Sequence, residues 1–192
     1  MGQYTANTYH VEDGQPVKVP DNELGHFFGD DIYIIDLNGA QWRYMFGWLG
    51  QKVEGDEKQK YFGPMQILTD YTLAWNCTRQ AIKKNHEDEA ILSLYDGVFI
   101  IHDGNRIPLN DRLDQIKANG AAYRCMSPFG KCGRAMETEK FDASVLNSGD
   151  VFVVCAKGGD VCYVWHGEGS NEVEQEIGNK VAARVAGGFS QT

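Results

Sequence analysis

Two glutamates recur at a fixed distance behind a tryptophan and a glycine. In the first segment Asp31 opens the run DIYIID, a second run ends in Trp48 and Gly50, and Glu57 follows seven residues after that glycine (57 − 50). In the second, Asp150 opens DVFVVC, the run ends in Trp165 and Gly167, and Glu174 again follows seven residues later (174 − 167). Asp31 to Trp48 is 17 residues and Asp150 to Trp165 is 15, a difference that the longer turn Asn38-Gly39-Ala40-Gln41 absorbs against Gly158-Gly159. Length changes of this kind belong in loops. Carboxylates brought together without a counter-ion repel, and a hard divalent cation relieves that repulsion with oxygen ligands at about 2.3–2.6 Å. Structural roles compete with this reading. Glu174 stands three residues after Asn171 and can close a capping box at a helix start, and Asp31 and Asp150 suit turns by hydrogen-bonding their own backbone.

Other reactive groups do not assemble into a site by spacing. The stretch His86-Glu87-Asp88-Glu89 is not the HEXXH of a zinc protease, and Gly-rich nucleotide loops are absent. Cys125 and Cys132 meet His102 or His166 only through contacts that the sequence does not indicate. A non-enzyme is expected. The formal net charge of −9 without basic clusters argues against nucleic acid, and no apolar run approaches the roughly 18 residues of a membrane span. The N-terminus lacks a basic stretch followed by an apolar one, and Ala6 stands where a myristoylation signal has Ser or Thr. Five cysteines without CxxC spacing suit reduced thiols in a cytosol. Cys155 and Cys162 would face each other across a Gly158-Gly159 hairpin, where a bridge is feasible but free thiols are the expectation.

The two segments must be built alike. Alternating apolar residues give strand, turn and strand, and a helix follows in each. Further strands are predicted at 77–83, 98–102 and 121–126, with a second helix between Lys84 and Leu94. The offset between the segments is 119 residues (150 − 31), which predicts two α+β domains over 1–104 and 105–192. In each, a mixed sheet flanked by helices is expected.

The stretch VPDNELGHFFGDDIYII with WLGQKVEGDEKQ resembles the opening repeat of the gelsolin and villin family, and VLNSGDVFVV with YVWHGEGSNEVEQE resembles its later repeats. The likeness spans nearly the whole chain. It implies tandem gelsolin-like domains, each a central sheet between a long and a short helix, that sever, cap or sequester actin, as monomer and filament, under calcium control, in the cytoplasm and at the cytoskeleton. It also implies one calcium ion per domain. The ligands carried over are the Asp30 carbonyl, Asp31 and Glu57 in the first domain, and the Gly149 carbonyl, Asp150 and Glu174 in the second. A calcium-dependent adaptor for a non-actin protein is the alternative, because a fold does not fix a function.

The same resemblance sends the first domain's long helix into a cleft of actin. Helical spacing puts Tyr61, Met65, Ile67, Leu68, Tyr71 and Trp75 on a core arc and leaves Phe62, Gln66, Thr69, Asp70 and Leu73 facing outward as the actin surface. Phe62 and Leu73 have no evident partner within the chain, which suits a hydrophobic cleft. Gly63-Pro64 interrupts this helix, and a kink or a restart is expected there. The second helix, 171–186, has Val173, Ile177, Val181 and Val185 as its core stripe and a polar outer face.

Overall fold

The computed structural model describes residues 4–51, 53, 57–69, 77–140, 142–158, 161–186 and 190–191, without the side chains of 57–59 and 190–191. The chain is α+β and forms two compact units. One comprises Met1–Leu24 with Phe28–Glu87, the other Gly25–Phe27 with Asp88–Thr192.

In the first unit, β1 (Tyr4–Glu12) and β2 (Gln15–Lys18) form a hairpin that sequence analysis does not anticipate. Its signal is the Asp13-Gly14 pair, whose φ angles of 48° and 75° make the two-residue turn with both central residues left-handed. The next strand in the chain, β3 (His26–Phe28), belongs to the other sheet. β4 (Ile32–Gly39) and β5 (Arg43–Leu49) are the expected hairpin, and β4 pairs with β1 on its other side. Helix α1 (Glu57–Leu68) carries the chain to β6 (Cys77–Lys83), parallel to β5, so the sheet is mixed in the order β2-β1-β4-β5-β6. Met65 of α1 packs on Ile34 and Met45, with Tyr61 and Leu68 beside them. Pro64 is buried within one continuous helix, so the helix does not break and restart there.

The second unit contains α2 (Glu89–Leu92), β7 (Val98–His102), α3 (Leu109–Asn119), β8 (Ala121–Met126), β9 (Gly133–Glu137), β10 (Val151–Cys155), β11 (Val161–His166), α4 (Glu172–Val185) and β12 (Ser190–Gln191). Its sheet runs β12-β11-β10-β8-β9-β7-β3, with parallel pairing at β11–β12 and β7–β9. Ile177, Val181 and Val185 of α4 pack on Tyr123, Cys125, Val151 and Val153, so the apolar stripe read from the sequence is the core stripe. The strands predicted at 77–83, 98–102 and 121–126 are all present.

The division between units departs from the expected boundary at residue 104. Residues 88–102 join the second unit because β7 pairs with β9 from Val98↔Gly133 to Ile101↔Met136, one strand in from the edge of that unit's sheet. Gly25–Phe27 joins it too, and the Gly25 carbonyl accepts from the Ile100 N–H at 2.8 Å. Among the described residues, no helix is long and apolar enough to cross a membrane.

Candidate functional site

In the second unit the carboxylates lie where strand and helix begin. Asp150 immediately precedes β10, and its carbonyl accepts from the Gly167 N–H at 2.9 Å, which ties the two ends of the hairpin. Gly167 is required by close approach, since a Cβ there would meet the Ser148 and Asp150 carbonyl oxygens at 2.5 and 2.6 Å. The Asp150 side chain is engaged by a cation of the protein itself. Arg124 donates to its Oδ2 at 2.8 Å and Asn147 donates to the same oxygen at 2.6 Å. Glu174 realises the capping alternative in full. Asn171 Oδ1 accepts from the Glu174 N–H at 3.0 Å, and Glu174 Oε2 accepts from the Asn171 N–H at 3.2 Å. Glu174 Oε1 also lies 3.4 Å from the Ser127 N–H.

In the first unit the backbone geometry is the same. The Asp31 carbonyl accepts from the Gly50 N–H at 2.9 Å and the Gly29 carbonyl from the Gln51 N–H at 2.7 Å. Asp30 and Asp31 are half-buried at the start of β4. Glu57 is the first residue of α1, and its side chain lies outside the described part of the structure. Among the described residues, no three His, Cys, Asp or Glu side chains gather into a cation cage. The oxygens of Asp150 and Glu174 suit a hard cation chemically, but each carboxylate is already engaged by donors of the protein.

Of the residues expected on the helix that faces actin, Asp70, Tyr71, Leu73 and Trp75 lie outside the described residues. Phe62 is 40 % exposed, Gln66 is exposed, and Ile67 is 55 % exposed where a core position was expected. The buried arc of α1 centres on Met65, and Ile67, two residues on, lies about 200° around the helix from it and faces away. Thr69 is the opposite correction. It is 5 % exposed, its hydroxyl donates to the Met65 carbonyl at 2.8 Å, and Arg79 donates to that hydroxyl at 2.9 Å. Phe62 also has a partner within the chain, for the Arg79 guanidinium lies 5.4 Å from its ring centre.

One further feature escaped sequence analysis, and another corrects it. Asp36 accepts a bidentate pair from Arg43, at 2.7 Å from Nε and 2.8 Å from one terminal nitrogen, and that nitrogen also donates to the Leu68 carbonyl at 3.1 Å at the end of α1. These hydrogen bonds hold the Arg43 guanidinium above its usual pKa. Nothing in the local sequence marks the pair except a charge inside each apolar run. Cys155 and Cys162 form a disulfide, with Cα atoms 4.1 Å apart in cross-strand register, which corrects the expectation of free thiols. Cys77, Cys125 and Cys132 are free. Burial, and then the charge of Glu174, push the Cys125 thiol up to about 12, so it is not a nucleophile near neutral pH.

The sequence that builds these two hairpins and the helices after them is similar to known proteins. Over 191 residues, 93 % of this chain, the sequence is 26 % identical to gelsolin of Xenopus laevis. Over 181 residues, 88 % of the chain, it is 27 % identical to the cytoplasmic gelsolin of Homarus americanus. The chain is gelsolin-like. It spans 42 % and 23 % of the length of these two relatives. No family model matches it. Among solved structures, a chain of the Thorarchaeota 2DGel3/rabbit actin complex superposes with a TM-score of 0.38 at 18 % identity, covering 97 % of this gelsolin-like chain and 90 % of its own.

Proposed function

We propose that the chain is an actin-binding protein of the gelsolin type, acting in the cytoplasm at the cytoskeleton and without catalysing a reaction. The observation that supports it is the similarity to two gelsolins across about nine-tenths of the chain. The contact surface of this reading is the outer face of α1. Phe62, Gln66 and Ile67 carry it among the described residues, Asp70 and Leu73 belong to it by the sequence reading alone, and buried Thr69 supports the helix from beneath. An exposed apolar pair framed by polar groups suits a partner's cleft, and such anchors dominate interface energetics.

Calcium belongs to this reading as a ligand of the strand openings. The residues that would hold it are the Asp30 carbonyl, Asp31 and Glu57 in the first domain, and the Gly149 carbonyl, Asp150 and Glu174 in the second. In the second it competes with Arg124 and Asn147 for Asp150 and with the helix cap for Glu174. Weaker binding is expected there than at an unencumbered pair.

Co-sedimentation with filamentous actin and gel shift with monomeric actin, each with and without calcium, test the reading. Binding in at least one condition is expected, and absence in all of them overturns it in favour of an adaptor for another protein. Phe62→Asp should weaken actin binding by at least tenfold while the melting temperature changes little. A fall in melting temperature with unchanged affinity would move the interface elsewhere.

A further inference from the structure

The three residues Gly25–Phe27 are held in the second unit by an unusual combination of aromatic and hydrogen-bonded contacts. Phe27 stacks on Phe99 with ring centres 3.8 Å apart and meets Tyr95 edge-on at 5.7 Å. Gly25, at φ 87°, has no room for a side chain, because a Cβ would lie 2.7 Å from an Arg184 nitrogen and 3.0 Å from the Tyr95 Cβ. Arg184 in turn donates to the carbonyls of Tyr95 and Val98. Between Gly25 and Phe27, the His26 ring lies within 7° of the plane of His102, and both rings are buried, at 6 % and 0 % exposure.

These imidazoles are part of a directed chain of hydrogen bonds. His26 Nδ1 is 2.9 Å from His102 Nε2, and His102 Nδ1 is 2.8 Å from the Tyr123 hydroxyl. Arg112 bonds the same hydroxyl and forms an ion pair with Glu137. A guanidinium only donates, so the Tyr123 oxygen accepts from Arg112, and the order that gives its own O–H an acceptor turns that O–H to His102 Nδ1. His102 then carries its proton on Nε2 and donates to His26 Nδ1, which leaves the His26 proton on Nε2. An added proton has no place in this order. On His26 Nδ1 it would face the His102 Nε2–H, donor against donor, and turning His102 to its other tautomer would oppose it to the Tyr123 O–H.

We propose that His26, His102 and Tyr123 form an acid-sensitive latch that holds the Gly25–Phe27 strap in the second sheet and frees it when an imidazole is protonated. The charged groups that face the latch agree with this polarity. Arg184 of α4 bears on His26, and Arg112 of α3 bears on His102, while Glu137 of β9 is occupied by Arg112. Burial first and Arg184 second hold His26 down to about 4, and burial, His26 and Arg112 hold His102 well below its usual range. Both rings are therefore neutral in the docked strap and near 6.5 once exposed. Docking is fully favoured above about pH 6.5 and loses up to about tenfold per pH unit, for each proton taken up, as pH falls toward 4.

Hydrogen exchange of the full chain by NMR provides the test. The Ile100 amide, bonded to Gly25, should lose protection relative to the Gly167 amide by up to about tenfold per unit below pH 6.5 for each of the two imidazoles. His26→Gln keeps an acceptor for His102 and leaves only His102 to titrate, so that slope should fall by about tenfold per unit. A flat ratio in the unaltered chain, or an unchanged slope in the variant, overturns the latch. Should the variant fail to fold, imidazole 15N shifts of the unaltered chain decide. Both rings are expected as neutral Nε2–H tautomers at pH 6, and either ring titrating near 6.5 or protonated on Nδ1 overturns the proposal.

Discussion

The two repeated hairpins are alike at one end and built on different chemistry at the other. At the tryptophan end, Tyr33 and Trp48 meet with ring centres 5.8 Å apart and planes at 64°, and Phe152 and Trp165 meet at 5.8 Å and 58°. Gly50 and Gly167 donate to the Asp31 and Asp150 carbonyls at 2.9 Å in both. Five residues further along each strand the hairpins diverge. The cross-strand pair is Asp36↔Met45 in the first and Cys155↔Cys162 in the second. The first hairpin is tied to the end of its helix by the Asp36–Arg43 pair, the second is closed by a disulfide beneath the end of α4. One duplicated scaffold thus keeps the end that opens toward the candidate ligands and tolerates two unrelated fasteners at the other.

The largest effect should come from breaking the ionic fastener. The Asp36 side chain is 2 % exposed, and Arg43→Met leaves its carboxylate buried without its counter-ion. Loss of one partner of such a pair costs about 3–5 kcal/mol, so denaturant unfolding should report a first unit destabilised by about 3 kcal/mol. A loss below about 1 kcal/mol would mean that the pair is a surface contact in all but geometry.

The covalent fastener should matter slightly less. Closing so short a loop, with the cysteines 7 residues apart, restricts the unfolded chain by roughly 2.5 kcal/mol. Reductant should lower the melting temperature of the unaltered chain and leave that of Cys155→Ala/Cys162→Ala unchanged.

The shared end can be tested by symmetry. Gly50→Ala and Gly167→Ala each drive a methyl into carbonyl oxygens 2.5 Å away, and each should cost about 2 kcal/mol by overpacking. Unequal losses would show that the common geometry is not equally supported in the two repeats.

Smallest in stability is Glu174→Gln, since an amide can still accept the Asn171 N–H in the capping box and the change should fall within about 0.5 kcal/mol. Calcium titration by calorimetry separates the roles of this residue. Weaker calcium binding in the variant would add a ligand role to the cap, and an unchanged titration would leave the cap alone.

What the sequence made legible follows from how local each signal is. The hairpins, the 171–186 helix and the strands at 77–83, 98–102 and 121–126 declare themselves by period and turn residues within a few positions. The capping box of Asn171 and Glu174 was legible for the same reason. Features decided by distant partners were not. His26–Phe28 reads as the approach to the next strand, and only its pairing with β7 reveals the second sheet as its home. Asp36 and Arg43 are ordinary charges until the fold buries them together, and Thr69 is drawn inward by Arg79, ten residues away, while Ile67 faces out.

The borrowed strand also governs how the chain can be divided. A cut between Glu87 and Asp88 looks like a clean separation of units, yet it assigns Gly25–Phe27 to the wrong fragment. The C-terminal piece would then present β7 as a bare edge, with Phe99 uncovered and the Ile100 N–H open, and such edges recruit foreign strands. A short synthetic peptide spanning residues 24–28, Leu-Gly-His-Phe-Phe, is the natural complement, so split fragments of this protein should be rescued in trans by five residues from the other half of the sequence.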